Sequence, residues 1–195
     1  MIKLESTESS FTDVSKYENI SEGRLDGRMF IAEKMAISEC INTLKNFQEN
    51  YLEEYKSGDV ESRNDILNGL HSSFCNSLGV NALLKFESMD VFQMGYHNPE
   101  TNTVAINDMM LRDSDPKEII QTDLHEIRHA FQEKAVRMPF SVDIDDATIQ
   151  QWEDNFANYI SPELDFEAYL EQPVEADANN FASLVYDDVF NNKQV

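Results

Sequence analysis

Two histidines four residues apart, in the run His125-Glu126-Ile127-Arg128-His129, constrain this chain more than any other feature. At that spacing both side chains leave one face of a helix, a single turn apart. Two imidazoles so placed can reach one metal ion, and the glutamate beside the first can serve a water bound to that ion. The geometry exists only on a helix, and the flanking residues predict one. Asp115-Pro116-Lys117-Glu118 reads as a helix start, with Asp115 as N-cap, Pro116 in the first helical position and Glu118 three residues after the cap. Ile119, Ile120, Leu124, Ile127, Ala130 and Phe131 then recur at helical spacing and give the helix a face to bury.

A catalytic zinc takes three protein ligands and keeps a fourth position for water. Beyond His125 and His129 the chain offers few partners. Cys40 and Cys75 fall within helical patterns with no ligand-like spacing, and read as small buried residues in a reducing compartment. His71 lies beside an apolar stripe and reads as a surface or partly buried histidine. His97 sits in a turn cluster. The better candidate is Glu175, at the border of the inward stripe of the last helix. There Ala178 and Ala182 permit a close approach to the His-bearing helix, and a carboxylate can be buried if a cation compensates it. Asp177, at the opposite border, is the alternative. Glu126 is the expected general base. The oxyanion of a hydrolytic reaction needs a donor besides the metal, for which Tyr169, His97 and Tyr159 are the candidates. Tyr169 joins Glu126 as a predicted catalytic residue.

The rest of the chain supports an α+β fold. Residues 1–22 are rich in Ser, Thr and Glu and read as a flexible tail. Residues 23–80 form an N-terminal helical part, with one long helix from about Asp26 to Lys56 and a second reaching about Leu78, where Gly79 stops it. From 81 to 195 the texture is that of a separate core. Short strands are expected over Ala82–Phe86, Val91–Tyr96 and Thr103–Asn107, with His97–Asn102 as a turn, forming a small antiparallel sheet packed on the His-bearing helix. The last of these strands could bind an extended substrate by adding a strand to the sheet edge, or could equally be a paired inner strand with no such role. After a loop around Pro139 come a helix over 147–160, a shorter one capped by Ser161-Pro162-Glu163, and a final helix from about Pro173 to Phe190.

The formal charge of −22 argues against nucleic acid or an anionic membrane as partner, since phosphates would be repelled. It fits a basic protein as substrate or partner, or a charge that simply keeps the protein soluble, which is the reading to prefer. From residue 142 onward 13 acidic residues stand against one basic one, Lys193. No apolar run approaches the roughly 20 residues that span a bilayer, and Met1 to Tyr17 has no apolar core of a secretory signal. The expected location is the cytoplasm, of the producing cell or of another cell into which the protein is delivered.

The run Thr122–Gln132 resembles the active helix of small zinc-dependent metallopeptidases of the glutamate-zincin type. Glu175-Ala176-Asp177-Ala178-Asn179-Asn180-Phe181-Ala182 is similar to their glutamate-bearing helix, above all that of the ImmA/IrrE-like and related phage- or toxin-associated groups. The resemblance covers roughly residues 90–190, including the strand and turn at Asn98–Asn107. It implies a zincin-like fold, a Zn2+ ion held by His125, His129 and Glu175, and cleavage of a peptide bond in a specific protein target. Asn179 stands where those proteins carry an acid that supports a ligand histidine. The alternatives are a non-catalytic zincin-fold protein acting as an inhibitor or antirepressor on a basic partner, and hydrolysis of a non-peptide amide.

Overall fold

The computed structural model describes residues 31–113 and 115–191. The expected tail over 1–22 and the start of the first predicted helix lie outside them. Three helices come first, α1 (Ile31–Asn50), α2 (Leu52–Ser57) and α3 (Val60–Ser77). Strands β1 (Leu83–Glu87), β2 (Gly95–Asn98) and β3 (Thr103–Asn107) follow. The chain finishes with α4 (Lys117–Arg137), α5 (Asp146–Ala157), α6 (Phe166–Glu171) and α7 (Pro173–Phe190). The class is α+β, as expected.

Local chemistry sets most of these boundaries. Asp59 caps α3 by accepting a hydrogen bond from the Ser62 amide at 2.9 Å. At the other end Gly79 takes φ +63. The Gly79 amide donates to Asn76 O and the Val80 amide to Cys75 O, the paired bonds of a Schellman ending. Asp115 accepts from the Lys117 amide at 3.0 Å and starts α4 one residue later than predicted. The long helix predicted over 26–56 is interrupted at Tyr51, whose ψ of −13 bends the chain between α1 and α2 while Tyr55 is fully buried. The short helix α6 is capped by Asp165, which accepts from the Ala168 amide, and Ser161 instead opens a turn. α5 ends at Ala157, so Tyr159 and Ile160 belong to a loop and not to a helix.

The sheet departs from expectation. Its order is β1-β3-β2, with β1 parallel and β2 antiparallel to β3. The tight turn at 99–102, with Asn102 at φ +49, folds β2 onto one side of β3. Only the other side of β3 is then open to β1, which runs the same way, so the sheet is mixed and not purely antiparallel. β3 is therefore the inner strand, with Val104, Ala105 and Ile106 buried, and has no free edge for a substrate. The free edge beside the next helix belongs to β2. That strand is also displaced from its predicted place. Val91 and Phe92 stand exposed in the preceding loop, whereas His97 and Asn98, read as turn, are in the strand.

α4 runs through the middle, against β2 and β3 on one side and α7 on the other, with α5 and α3 alongside. Ile120, Leu124 and Ile127 are fully buried along it, each contributing about 1.5–3 kcal/mol. α1 packs on both α3 and α7, so the N-terminal helices share one continuous core with the strands and α4. Cys40 and Cys75 are free and buried, and burial pushes the Cys40 thiol up to about 12. Among the described residues no helix is long and apolar enough to cross a membrane.

One buried polar contact ties α3 to α4. His71, read from sequence as a surface or partly buried residue, is enclosed. Its Nδ1 lies 2.7 Å from Asp123 Oδ1 and its Nε2 lies 2.9 Å from Ala82 O. With the ring protonated, both nitrogens donate. Burial alone would lower the His71 pKa, but the charge and hydrogen bond of Asp123 raise it to about 11. A group whose folded pKa is raised adds stability that is complete below the unfolded value of about 6.5 and fades as pH climbs through the folded one. We therefore expect the melting temperature to fall between pH 7 and pH 11, and to fall less in a His71→Asn variant. Equal slopes for the two proteins would remove this pair as the cause.

Candidate metal centre

The helical spacing delivers what the sequence promised for the two histidines. Their Nε2 atoms face each other across 2.9 Å, with the rings edge to face and 4.6 Å between centroids. α7 brings Glu175 to the same point. Its Oε2 lies 3.2 Å from His125 Nε2, and its Oε1 lies 3.5 Å from His129 Nε2. This is possible because Ala178 and Ala182 are buried where α7 meets α4. Glu175 is only 1% exposed. Oε1 accepts a 2.6 Å hydrogen bond from the Tyr159 hydroxyl, while Oε2 is buried without a hydrogen-bond partner.

These atoms suit a divalent cation. Ligand atoms held tetrahedrally about 2.0–2.1 Å from zinc lie roughly 3.3 Å from one another. The two imidazole nitrogens are 2.9 Å apart, and the carboxylate sets Oε2 3.2 Å from His125 Nε2 and Oε1 3.5 Å from His129 Nε2, spacings of that order. Glu175 Oε2, buried without a hydrogen-bond donor and 3.2 Å from His125 Nε2, is an acceptor that a bound cation would satisfy. The electrostatics agree. Burial disfavours charge on His129, yet Glu175 and Glu126 hold its pKa up to about 9. Burial also works against the Glu175 carboxylate, but His125, His129 and Tyr159 hold its pKa well below the usual carboxylate range. His125, Glu126 and His129 likewise have potential ligand atoms within 4.8 Å of one another.

Glu126 is buried beside the pair. Burial raises its carboxyl pKa, opposed by His125 and His129 and by the nearby His97 backbone amide. β2 can pass this close because position 95 is glycine. A Cβ there would stand 2.9 Å from both Ala105 O and Thr122 Cγ2, and 3.4 Å from Glu126 Cγ. His97, two residues on and so on the same face of β2, has its pKa lowered to about 4 by burial and by His129. Its Nε2 makes no hydrogen bond, and its ring does not line the open cleft. That cleft, of 1080 Å³, has His125 and Glu126 at its base. Phe92 and Met94 form one wall and Tyr159, Phe166 and Tyr169 the other.

Several expectations change here. Asp177 is not near the histidines as a third ligand: it grips Arg128, accepting from Nε at 2.7 Å and from Nη2 at 3.0 Å. Asn179 is exposed in the cleft wall and bonds neither histidine. The group on His129 Nδ1 is Gln132, at 2.8 Å. Tyr159, one of three candidate oxyanion donors, has its hydroxyl engaged by Glu175. Tyr169 packs edge to face on Tyr159 with 6.2 Å between centroids and faces the same carboxylate. Sequence reasoning missed Gln132 and Arg128. Gln132 had a visible signal, since it stands three residues after His129 on the same helical face.

Comparison with known proteins adds no relative, since no protein-family model, no curated protein and no solved structure matches the chain.

Proposed function

We propose that this protein is a zinc-dependent metallopeptidase of glutamate-zincin type, in which His125, His129 and Glu175 hold the ion and Glu126 is the general base. The observation that carries this reading is the convergence of two imidazole Nε2 atoms and a donorless buried carboxylate oxygen at the base of an open cleft. Zinc held by His125, His129 and Glu175 would supply Lewis acidity, polarising a carbonyl and easing the deprotonation of water.

The chain's own residues perform the rest. Glu126, buried beside His125 with its carboxyl pKa raised by that burial, is the base that takes a proton from the attacking water and returns it to the leaving amine. Tyr159 fixes Glu175 through its hydroxyl. Tyr169, which lines the cleft beside Tyr159, is the donor for charge developing on the substrate oxygen. The edge of β2 borders the cleft and can guide an extended chain. The acidic surface favours a basic protein as the target.

Metal analysis tests the first half of this reading. One zinc per chain, retained through gel filtration and lost in Glu175→Ala, is expected, and a protein with no affinity for zinc refutes it. For the second half, Tyr169→Phe should lower kcat about 10²–10³-fold with little change in KM. A proportional rise in KM alone would make Tyr169 a contact of the bound substrate and not a donor to the transition state.

A further inference from the structure

A hydrogen-bonded chain starts at His129 Nδ1 and ends in the first helix of the protein. Gln132 is completely buried, and its amide orientation is dictated by its neighbours. Its Nε2 donates to Val174 O at 2.9 Å and to Asp177 Oδ2 at 2.7 Å. Both partners are pure acceptors, so the amide nitrogen must face them and Oε1 must face His129. Oε1 in turn accepts only, so His129 Nδ1 carries the hydrogen and the neutral ring presents its lone pair at Nε2. Asp177 is held by Arg128, whose Nη2 also donates to Glu33 of α1. Arg128 is buried and its guanidinium lies 4.7 Å from the Phe131 ring centroid, 5.6 Å from that of Trp152 and 5.2 Å from that of Phe181. Every link from Glu33 to His129 is thus either charged and paired or locked in a single orientation.

We propose that Gln132 is the positioning residue that fixes His129 as a metal ligand, and that Glu33 of α1 holds it in place through Arg128 and Asp177. The N-terminal helical part is then a working component of the metal centre, although it contributes no ligand. This inference rests on the metal-binding reading above. A histidine ligand released from its supporting partner commonly loses 10–100-fold in metal affinity.

The test is zinc affinity by chelator competition, together with the visible absorption spectrum of the cobalt-substituted protein. Gln132→Leu should weaken zinc binding about 10–100-fold and broaden the cobalt bands, and Glu33→Gln should move both in the same direction by a smaller factor. If Gln132→Leu does not fold, a second pair decides. Gln132→Glu alone sets a carboxylate against Asp177 and should weaken binding. Adding Asp177→Asn restores a donor between them and should return the affinity to within a few-fold of the parent. Unchanged zinc affinity and cobalt spectrum in Gln132→Leu, or failure of Asp177→Asn to rescue Gln132→Glu, overturns the proposal while leaving the metal site standing. A parent protein that binds neither metal overturns the site itself.

Discussion

Glu126→Gln should abolish hydrolysis and spare everything else. The amide keeps the size and shape of the carboxyl group and fits the same buried position. It cannot take a proton, however, so the rate should drop by about 10²–10⁴-fold, the usual worth of a positioned base. Zinc content should stay at the parent value, because Glu126 is not among the three proposed ligands. Stability should hold or rise slightly, since burial already disfavours the Glu126 charge. Cleavage of a protein substrate followed beside zinc content and thermal melting would separate these effects. A variant that still cleaves at close to the parent rate places the base elsewhere. A parent that cleaves nothing while the variant behaves identically in cells points to a binding protein.

The second large effect is on stability. Arg128→Met removes the one cation that Asp177 and Glu33 share in the protein interior. Burial alone would lower the Arg128 pKa, but Asp177 and Glu33 raise it, so this side chain is charged at any accessible pH. Taking away one member of a buried ion cluster strands the others and costs about 3–5 kcal/mol. In a chain of 195 residues that is a drop in Tm of roughly 6–20 °C. The aromatic cage of Phe131, Trp152 and Phe181 loses its cation as well. Combining Arg128→Met with Glu33→Met and Asp177→Leu leaves no stranded charge and should recover much of the loss. The triple variant should nevertheless bind zinc weakly, because Gln132 would have lost its anchor. Thermal melts of the single and triple variants check the first point: equal Tm values for parent and Arg128→Met would show that the cluster adds nothing.

What could be read before folding followed the range of the interaction. α3, α4 and α7 are legible because their apolar residues repeat every three to four positions over several turns, and because Asp59, Gly79 and Pro173 mark their ends. The interruption at Tyr51 is not, since neither glycine nor proline announces it. β2 is misplaced because Val91 and Phe92 have the apolar look of a strand. Both are exposed, and Phe92 lines the cleft, where apolar side chains project into solvent. Strand order is invisible to any pattern of alternation, which reports which face is covered and not which neighbour lies alongside. In the site, His125, Glu126 and His129 are legible because one helix turn places them. Glu175 is legible because it borders an inward stripe beside small residues. The division of labour between Glu175 and Asp177 is not, because it depends on where Arg128 points, across 49 residues of chain. The same holds for His71, whose partner Asp123 lies 52 residues away.

The close passage of β2 over α4 has a bearing on self-association. An open strand edge is a row of vacant amides that any other extended chain can fill, including a second molecule of the same protein. Here α4 crowds that edge, since a Cβ at position 95 would stand 2.9 Å from Thr122 Cγ2 and 3.4 Å from Glu126 Cγ, and a strand so closely covered is protected against uncontrolled stacking.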